Sequence, residues 1–277
     1  MTLQEALGFA KGELTSRNFE DAGLESEVLL RHAIGIDRTQ LYLTLKEELT
    51  PEQEKTFIEL LKRRLSGVPL AYVVRHREFY GLDFYINQDV LIPRPETELL
   101  VEKALALAQS KPIHTIADIG TGSGIIAVTL AVKLPDARIY ATDISEKAIV
   151  VALFNAEKHG VVYRITFLKG DLVVPLPEPG DLIIANLPYV KQAEITPPIA
   201  AEPHQALDGG REGLDVIKRF CREVKSKLNP GGYVLMEIGQ GQHQTVKEYL
   251  LSLYPNVEIK IYQDLAGIDR VIQAKIP

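Results

Sequence analysis

Asn186-Leu187-Pro188-Tyr189 follows a run of buried-strand character, Asp181-Leu182-Ile183-Ile184-Ala185. The tetrapeptide therefore stands where a parallel strand leaves its sheet, on the edge where open α/β sheets bind ligands. The Asn186 amide oxygen, beside free backbone carbonyls such as that of Leu187, can accept hydrogen bonds from a planar –NH2 group. Tyr189 can lie against the face of that group. A primary amide or an aromatic amine is the kind of nucleophile such a corner fits, which makes Asn186, Leu187, Pro188 and Tyr189 the candidate catalytic residues. The competing reading is an Asn–Pro turn with a packing Tyr, because Asn and Pro dominate turns for local reasons.

A second cluster speaks to a cofactor. Asp118-Ile119-Gly120-Thr121-Gly122-Ser123-Gly124 lies between a strand and a helix that starts near Gly124. Glycines there allow positive φ and let a ligand approach the backbone closely. The dinucleotide fingerprint Gly-x-Gly-x-x-Gly fails, because the sixth position from Gly120 is Ile125. No Walker lysine follows either. Asp143, with Ile144 after it, ends the second strand a little over twenty residues past the loop, where a carboxylate accepts hydrogen bonds from both ribose hydroxyls of an adenosine. Gly170-Asp171-Leu172 ends the third strand, where an acidic side chain can reach an adenine amine. An adenosine without a pyrophosphate points to S-adenosylmethionine, held by Gly120, Thr121, Gly122, Ser123, Gly124, Asp143, Ile144, Asp171, Leu172 and Asn186. Taken singly, each acidic residue could instead cap the next helix.

These residues need a scaffold that brings successive strand ends together. Strand-like runs fall at 115–119, 138–142, 165–168, 182–185, 233–238, 257–262 and 270–275. The first five alternate with helical or long connections, as in a doubly wound parallel sheet. The last two are joined by Gln263-Asp264-Leu265-Ala266-Gly267-Ile268-Asp269, too short for a helical crossover, so that pair reads as antiparallel. Seven strands with an antiparallel end resemble the Rossmann-like sheet of class I methyltransferases.

Ahead of the sheet the chain reads as helices. Leu3, Ala6, Leu7, Ala10 and Leu14 recur at helical spacing. A second apolar-striped segment spans 24–34. Asp37 with Gln40, and Thr50-Pro51-Glu52-Gln53, look like capping boxes. The short runs 78–80 and 82–86 around Gly81 suggest a hairpin. The expected organisation is a small N-terminal helical domain over 1–72, a hairpin linker over 73–94 and a methyltransferase domain over 95–277.

Composition narrows the class. The chain has 277 residues, enough for one or two domains, and a net charge of −6, so nothing global favours nucleic acid. No apolar run is long enough to cross a bilayer and the first residues lack a signal-peptide pattern, so neither a membrane role nor export is expected. One cysteine, Cys221, cannot form an internal disulfide, which fits a reducing cytoplasm. The six histidines show no metal-ligand spacing, and no metal site is expected. Residues 1–75 hold ten Lys/Arg and twelve Asp/Glu, a balance that gives no sign of RNA binding. The Lys62-Arg63-Arg64 cluster reads as a solvated helix end.

The whole constellation resembles one family, the protein-(glutamine) methyltransferases that modify peptide chain release factors. Its pieces are Ile92-Pro93-Arg94-Pro95-Glu96-Thr97-Glu98, Asp118 to Gly124, Ala141 to Ser145, Asn155-Ala156 and Asn186 to Tyr189. Glu202-Pro203, Leu207, Gly209-Gly210, Gly213-Leu214-Asp215, Pro230-Gly231-Gly232 and Glu237-Ile238-Gly239 continue it, and Asp264, Gly267 and Asp269-Arg270-Val271 complete it. The resemblance implies that the Pro-Arg-Pro segment helps close the cofactor pocket, which adds Arg94 and Pro95 to the binding residues. It implies that class 1 release factors are the partners, docked by the N-terminal domain so that a Gly-Gly-Gln loop reaches the pocket. The chain is expected to act as a monomer. Leu187 departs from the family's usual Asn-Pro-Pro-Tyr. Proline there would hold Asn186 extended, whereas Leu187 keeps the carbonyl and gives up some rigidity. Asn-Leu-Pro-Tyr also resembles the motif of ribosomal RNA adenine dimethyltransferases, which lack the helical domain and the Pro-Arg-Pro-Glu-Thr-Glu segment. A cofactor-binding scaffold with a drifted motif is a third reading.

Overall fold

The structure, a computed structural model, describes residues 1–277. The chain divides into two compact units, Met1–His76 and Arg77–Pro277. The hairpin that was expected in a linker is thus divided at its first residue, and 77–94 cluster with the second unit.

The first unit is helical: α1 (Leu3–Ser16), α2 (Ala22–Ile34), α3 (Arg38–Leu43), α4 (Pro51–Leu65) and α5 (Leu70–Val74). Side chains set three of the helix starts. Thr2 with Glu5, Asp37 with Gln40, and Thr50 with Gln53 each form a reciprocal capping box. The apolar stripes meet in a core around Leu14, Leu29, Leu30, Leu41, Phe57 and Leu61. The basic run at the end of α4 is solvated only in part: Lys62 and Arg63 are exposed, and Arg64 is drawn inward. Arg63 donates to the carbonyls of Tyr72 and Val73, and Arg64 grips Glu25 through two nitrogens at 2.6 and 2.9 Å. A forked guanidinium fits a carboxylate this way and a lysine does not. These contacts tie α4 to α2 and to the turn of chain that ends the unit.

The second unit opens with a two-stranded sheet of β1 (His76–Phe79) and β2 (Leu82–Tyr85). Then follow α6 (Glu98–Ser110), β3 (Thr115–Ile119), α7 (Ile125–Lys133), β4 (Arg138–Asp143), α8 (Glu146–Lys158), β5 (Ile165–Lys169) and β6 (Gly180–Ala185). The rest is α9 (His204–Leu207), α10 (Asp215–Glu223), β7 (Leu228–Glu237), α11 (His243–Leu253), β8 (Glu258–Gln263) and β9 (Asp269–Lys275). The seven-stranded sheet runs in the order β5-β4-β3-β6-β7-β9-β8. Pairings from β5 to β7 are parallel, and β9 runs antiparallel to both β7 and β8. This is the doubly wound sheet with an antiparallel end that the strand pattern predicts.

Strands covered on both faces read as continuous apolar runs. Ile116, Leu182, Ile183, Ile184 and Val234 are buried accordingly. From β3 the chain winds outward to β4 and β5, then returns to place β6 on the other side of β3. The carboxyl ends of β3 and β6 therefore diverge into a crevice. No helix is long and apolar enough to cross a membrane.

Candidate active site

The crevice is built first by the loop that leaves β3. Gly120, Gly122 and Gly124 all take positive φ, at 72°, 55° and 81°, a region that costs a residue with a side chain. Gly124 is the N-cap of α7 and passes so close to α8 that a Cβ there would lie 3.0 Å from the Ala152 Cβ. The Gly120 and Thr121 amides both donate to the Thr142 carbonyl at 2.9 Å, which binds the loop to the end of β4. Asp118 sits beneath, fully buried. Its Oδ2 accepts from Thr121 Oγ1 at 2.6 Å and from the Ala127 amide at 3.2 Å, while Oδ1 has no partner. Burial pushes the Asp118 carboxyl up to about 7, against these two bonds.

The ends of β4 and β5 supply the next walls. Asp143 Oδ2 accepts from the Gly122 amide and Oδ1 from the Ser145 amide. Burial raises its pKa and those bonds lower it. The cap of α8 is Ser145 and not Asp143. No helix follows Asp171 either; its side chain pairs with Arg219 of α10. Helix capping therefore explains neither acid. Leu172 holds φ at 46°, unusual for a residue with a side chain, and the Thr142 hydroxyl donates to its carbonyl at 3.0 Å.

One cavity joins these pieces. Of the residues singled out in the sequence, Arg94, Gly120, Thr121, Gly122, Ser123, Asp143, Ile144, Asp171, Leu172, Asn186, Leu187 and Pro188 line it. Gly124, Pro95 and Tyr189 lie outside that lining: Gly124 caps α7, Pro95 opens a 3-10 turn ahead of α6, and Tyr189 turns elsewhere. Thr97, from the segment expected to close the pocket, lines the cavity too, and Gln205, Val216 and Arg219 do so without having been anticipated. Arg94 is fastened by an ion pair to Glu202, which is buried and also accepts from the Ile92 amide at 2.9 Å. The Pro-Arg-Pro segment is thus pinned along one rim.

The groups present suit an adenosine-bearing sulfonium. A Cβ on Gly122 would meet nothing nearer than the Gly120 carbonyl at 4.0 Å, so the loop backbone faces open space. Asp143 keeps lone pairs beyond its two backbone bonds. The third glycine of a pyrophosphate-binding fingerprint is missing from the loop, its place being taken by Ile125.

Asn186 stands where β6 ends, at the same crevice. Its Nδ2 donates to Thr97 Oγ1 at 3.1 Å. Thr97 in turn donates to Glu237 Oε2 at 2.7 Å, and the Tyr189 hydroxyl donates to Glu237 Oε1 at 2.9 Å. Glu237 closes β7 and is buried; burial raises its pKa, and the Thr97 and Tyr189 bonds oppose the rise. Burial and the neighbouring Glu237 charge drive the Tyr189 hydroxyl pKa upward, so it stays protonated. The Gln242 amide donates to the Tyr189 and Gly213 carbonyls at 3.1 Å each and accepts from the Gly239 amide at 2.8 Å, fixing the backbone after the tetrapeptide. The Leu187 side chain is buried, its Cδ2 3.3 Å from where a Cβ on Gly120 would stand. Sequence reasoning passed over Thr97 and Glu237 as individuals. The available signal was a lone carboxylate ending an apolar strand, Tyr233–Ile238, on the ligand edge of the sheet.

Comparison with known proteins places this arrangement. The PrmC N-terminal domain model matches residues 5–74, and the methyltransferase small domain model matches residues 95–263. The release factor glutamine methyltransferase of Moorella thermoacetica is 42% identical over 278 residues, covering 99% of this chain and 98% of that protein. That of Geobacter sulfurreducens is 40% identical over 280 residues, covering 99% and 97%. A solved methyltransferase structure from Pyrococcus furiosus superposes with a TM-score of 0.53 at 19% identity, over 78% of this chain and 96% of that one, a likeness of fold. With two relatives at or above 40% identity along their whole length, the chain belongs to the release factor glutamine methyltransferase family.

Proposed function

We propose that this chain transfers a methyl group from S-adenosylmethionine to the side-chain amide nitrogen of the glutamine in the Gly-Gly-Gln loop of a class 1 peptide chain release factor. The observation that carries the reading is the Asn186 amide, lining the glycine-loop cavity with its –NH2 end bonded to Thr97. That leaves Oδ1 as a hydrogen-bond acceptor for the substrate.

A glutamine –NH2 is a weak nucleophile, because its lone pair is delocalised into the carbonyl. Asn186 Oδ1 accepts one of its hydrogens and the Leu187 carbonyl accepts the other. Two fixed acceptors aim the nitrogen and remove orientational freedom from the encounter. Positive charge grows on that nitrogen as its new bond forms, and both oxygen dipoles favour it. The proton leaves late, to water. Glu237 does not serve as the base: its oxygens are engaged by Thr97 and Tyr189, and it lies outside the cavity lining. Asp143, Asp171 and the backbone of the glycine loop are the groups that hold the cofactor. When bound, the cofactor supplies an activated methyl on a cationic sulfur. The helical unit docks the release factor.

Incubating a release factor with enzyme and S-adenosylmethionine, followed by peptide mass spectrometry, tests the reading. A gain of one methyl on the loop glutamine supports it. A methyl group on ribosomal RNA adenine instead, or no product at all, overturns it.

A further inference from the structure

We infer that Thr97 is a positioning residue, which sets the end of the Asn186 amide that faces the cavity. The inference rests on the glutamine reading and deepens it.

A primary amide turned by 180° keeps nearly the same shape while exchanging its oxygen for its –NH2. For Asn186 the exchange decides everything. With Oδ1 towards the cavity it accepts a substrate N–H. With Nδ2 there, two donors face each other and the substrate amide is repelled. Packing shape alone distinguishes these states poorly, so a hydrogen-bond partner of fixed polarity has to choose.

Thr97 has that fixed polarity. A hydroxyl owns one proton and two lone pairs. The Thr97 proton goes to Glu237 Oε2 at 2.7 Å. What remains on Oγ1 is acceptor capacity only, so Asn186 meets it with Nδ2, at 3.1 Å. The other oxygen of Glu237 is occupied by the Tyr189 hydroxyl at 2.9 Å. The carboxylate therefore draws two hydroxyl protons and releases neither. Thr97 is 0% and Glu237 2% exposed, so no bulk water competes for the hydroxyl. Polarity passes from Glu237 to Thr97 to Asn186, over three residues from three separate segments of the chain. Thr97 acts on the reaction through the Asn186 amide.

The test uses the full-length protein and a purified release factor in single-turnover methylation. Thr97→Val keeps the volume and removes the hydroxyl; Thr97→Ser keeps the hydroxyl. We expect Thr97→Val to lower kcat by on the order of thirty- to a hundredfold, with KM for the factor and calorimetric affinity for S-adenosylmethionine little changed. Thr97→Ser should restore most of the rate. A Thr97→Val rate within about threefold of wild type overturns the inference, and so does a Thr97→Ser rate as low as that of Thr97→Val. Side-chain amide NOEs in the unaltered protein give a second readout that needs no variant to fold. Asn186 Hδ2 protons close to Thr97 Hβ support the assignment, and Hδ2 protons turned away from Thr97 overturn it. If the wild type forms no methylglutamine, the proposed reaction fails instead, and the NOEs still decide the orientation.

Discussion

Asp143 Oδ2 accepts the Gly122 amide hydrogen at 2.9 Å. The carboxylate that is to hold a ribose therefore also ties down the middle of the glycine loop. Asp143→Ala removes both functions at once. Hydrogen bonds to a charged group contribute about 1.5–3 kcal/mol, so S-adenosylmethionine affinity should fall by about ten- to a hundredfold. Calorimetric titration of the folded variant checks this, and an unchanged Kd removes Asp143 from the binding site.

Asn186→Ala deletes one of the two acceptors that aim the substrate amide. Turnover should fall by on the order of a hundredfold or more, with cofactor affinity less affected. A near-normal single-turnover rate would sink the two-acceptor mechanism.

Leu187→Pro separates chemistry from packing. The acceptor is a backbone carbonyl in either residue, so the rate should change by less than about tenfold. The Leu187 side chain, however, is buried against Gly120. Its loss should cost about 1–3 kcal/mol of stability, read by urea denaturation. An unchanged denaturation midpoint refutes the packing half of this prediction, and a rate collapse refutes the chemical half.

The Asp118 carboxyl, held at about 7 when folded against an ordinary 3.8, binds its proton more tightly in the native state. Its contribution to stability is therefore fully present below pH 3.8 and is lost as pH rises through 7. The loss amounts to about 4 kcal/mol by linkage. Asp118→Asn cannot titrate, so its stability relative to wild type should rise steadily between pH 4 and 7. A gap that stays constant across denaturation curves in that window refutes the assignment.

Removing residues 1–76 tests the docking role of the helical unit. Each unit has its own core, and the residues lining the cavity all lie beyond 76. Cofactor affinity should survive the truncation, whereas methylation of an intact release factor should collapse. Full-rate methylation by the folded truncated protein would assign docking elsewhere.

The sheet was legible because its central strands are apolar runs of strand length bounded by turn residues, as in Asp181 to Ala185 before Asn186. The acids at the ends of β4 and β5 were legible for a related reason: chain order in a doubly wound sheet fixes which strand ends converge. Contacts between distant segments were not. Thr97 and Glu237 are 140 residues apart, and no local pattern announces that a 3-10 turn will meet the end of β7. Leu172 was placed at the pocket by its strand end, but its positive φ was not legible, because nothing about a leucine signals a left-handed backbone. Of the basic run, Lys62 and Arg63 are exposed as the sequence reading has them, and Arg64 departs from it because Glu25 and the Val68 carbonyl capture its guanidinium.

Asn155, buried on α8, donates to the carbonyls of Tyr85 and Ser123 and accepts from the Tyr85 amide at 2.7 Å. Through one side chain the last residue of β2 shares a fastening with the cofactor loop. The Tyr85 N–H exchanges with solvent when the Asn155 side chain swings away, a movement that also breaks its bond to the Ser123 carbonyl, so deuterium uptake there becomes a clock for loss of this fastening. Cofactor that braces the loop should slow that clock at a position outside the residues lining its pocket.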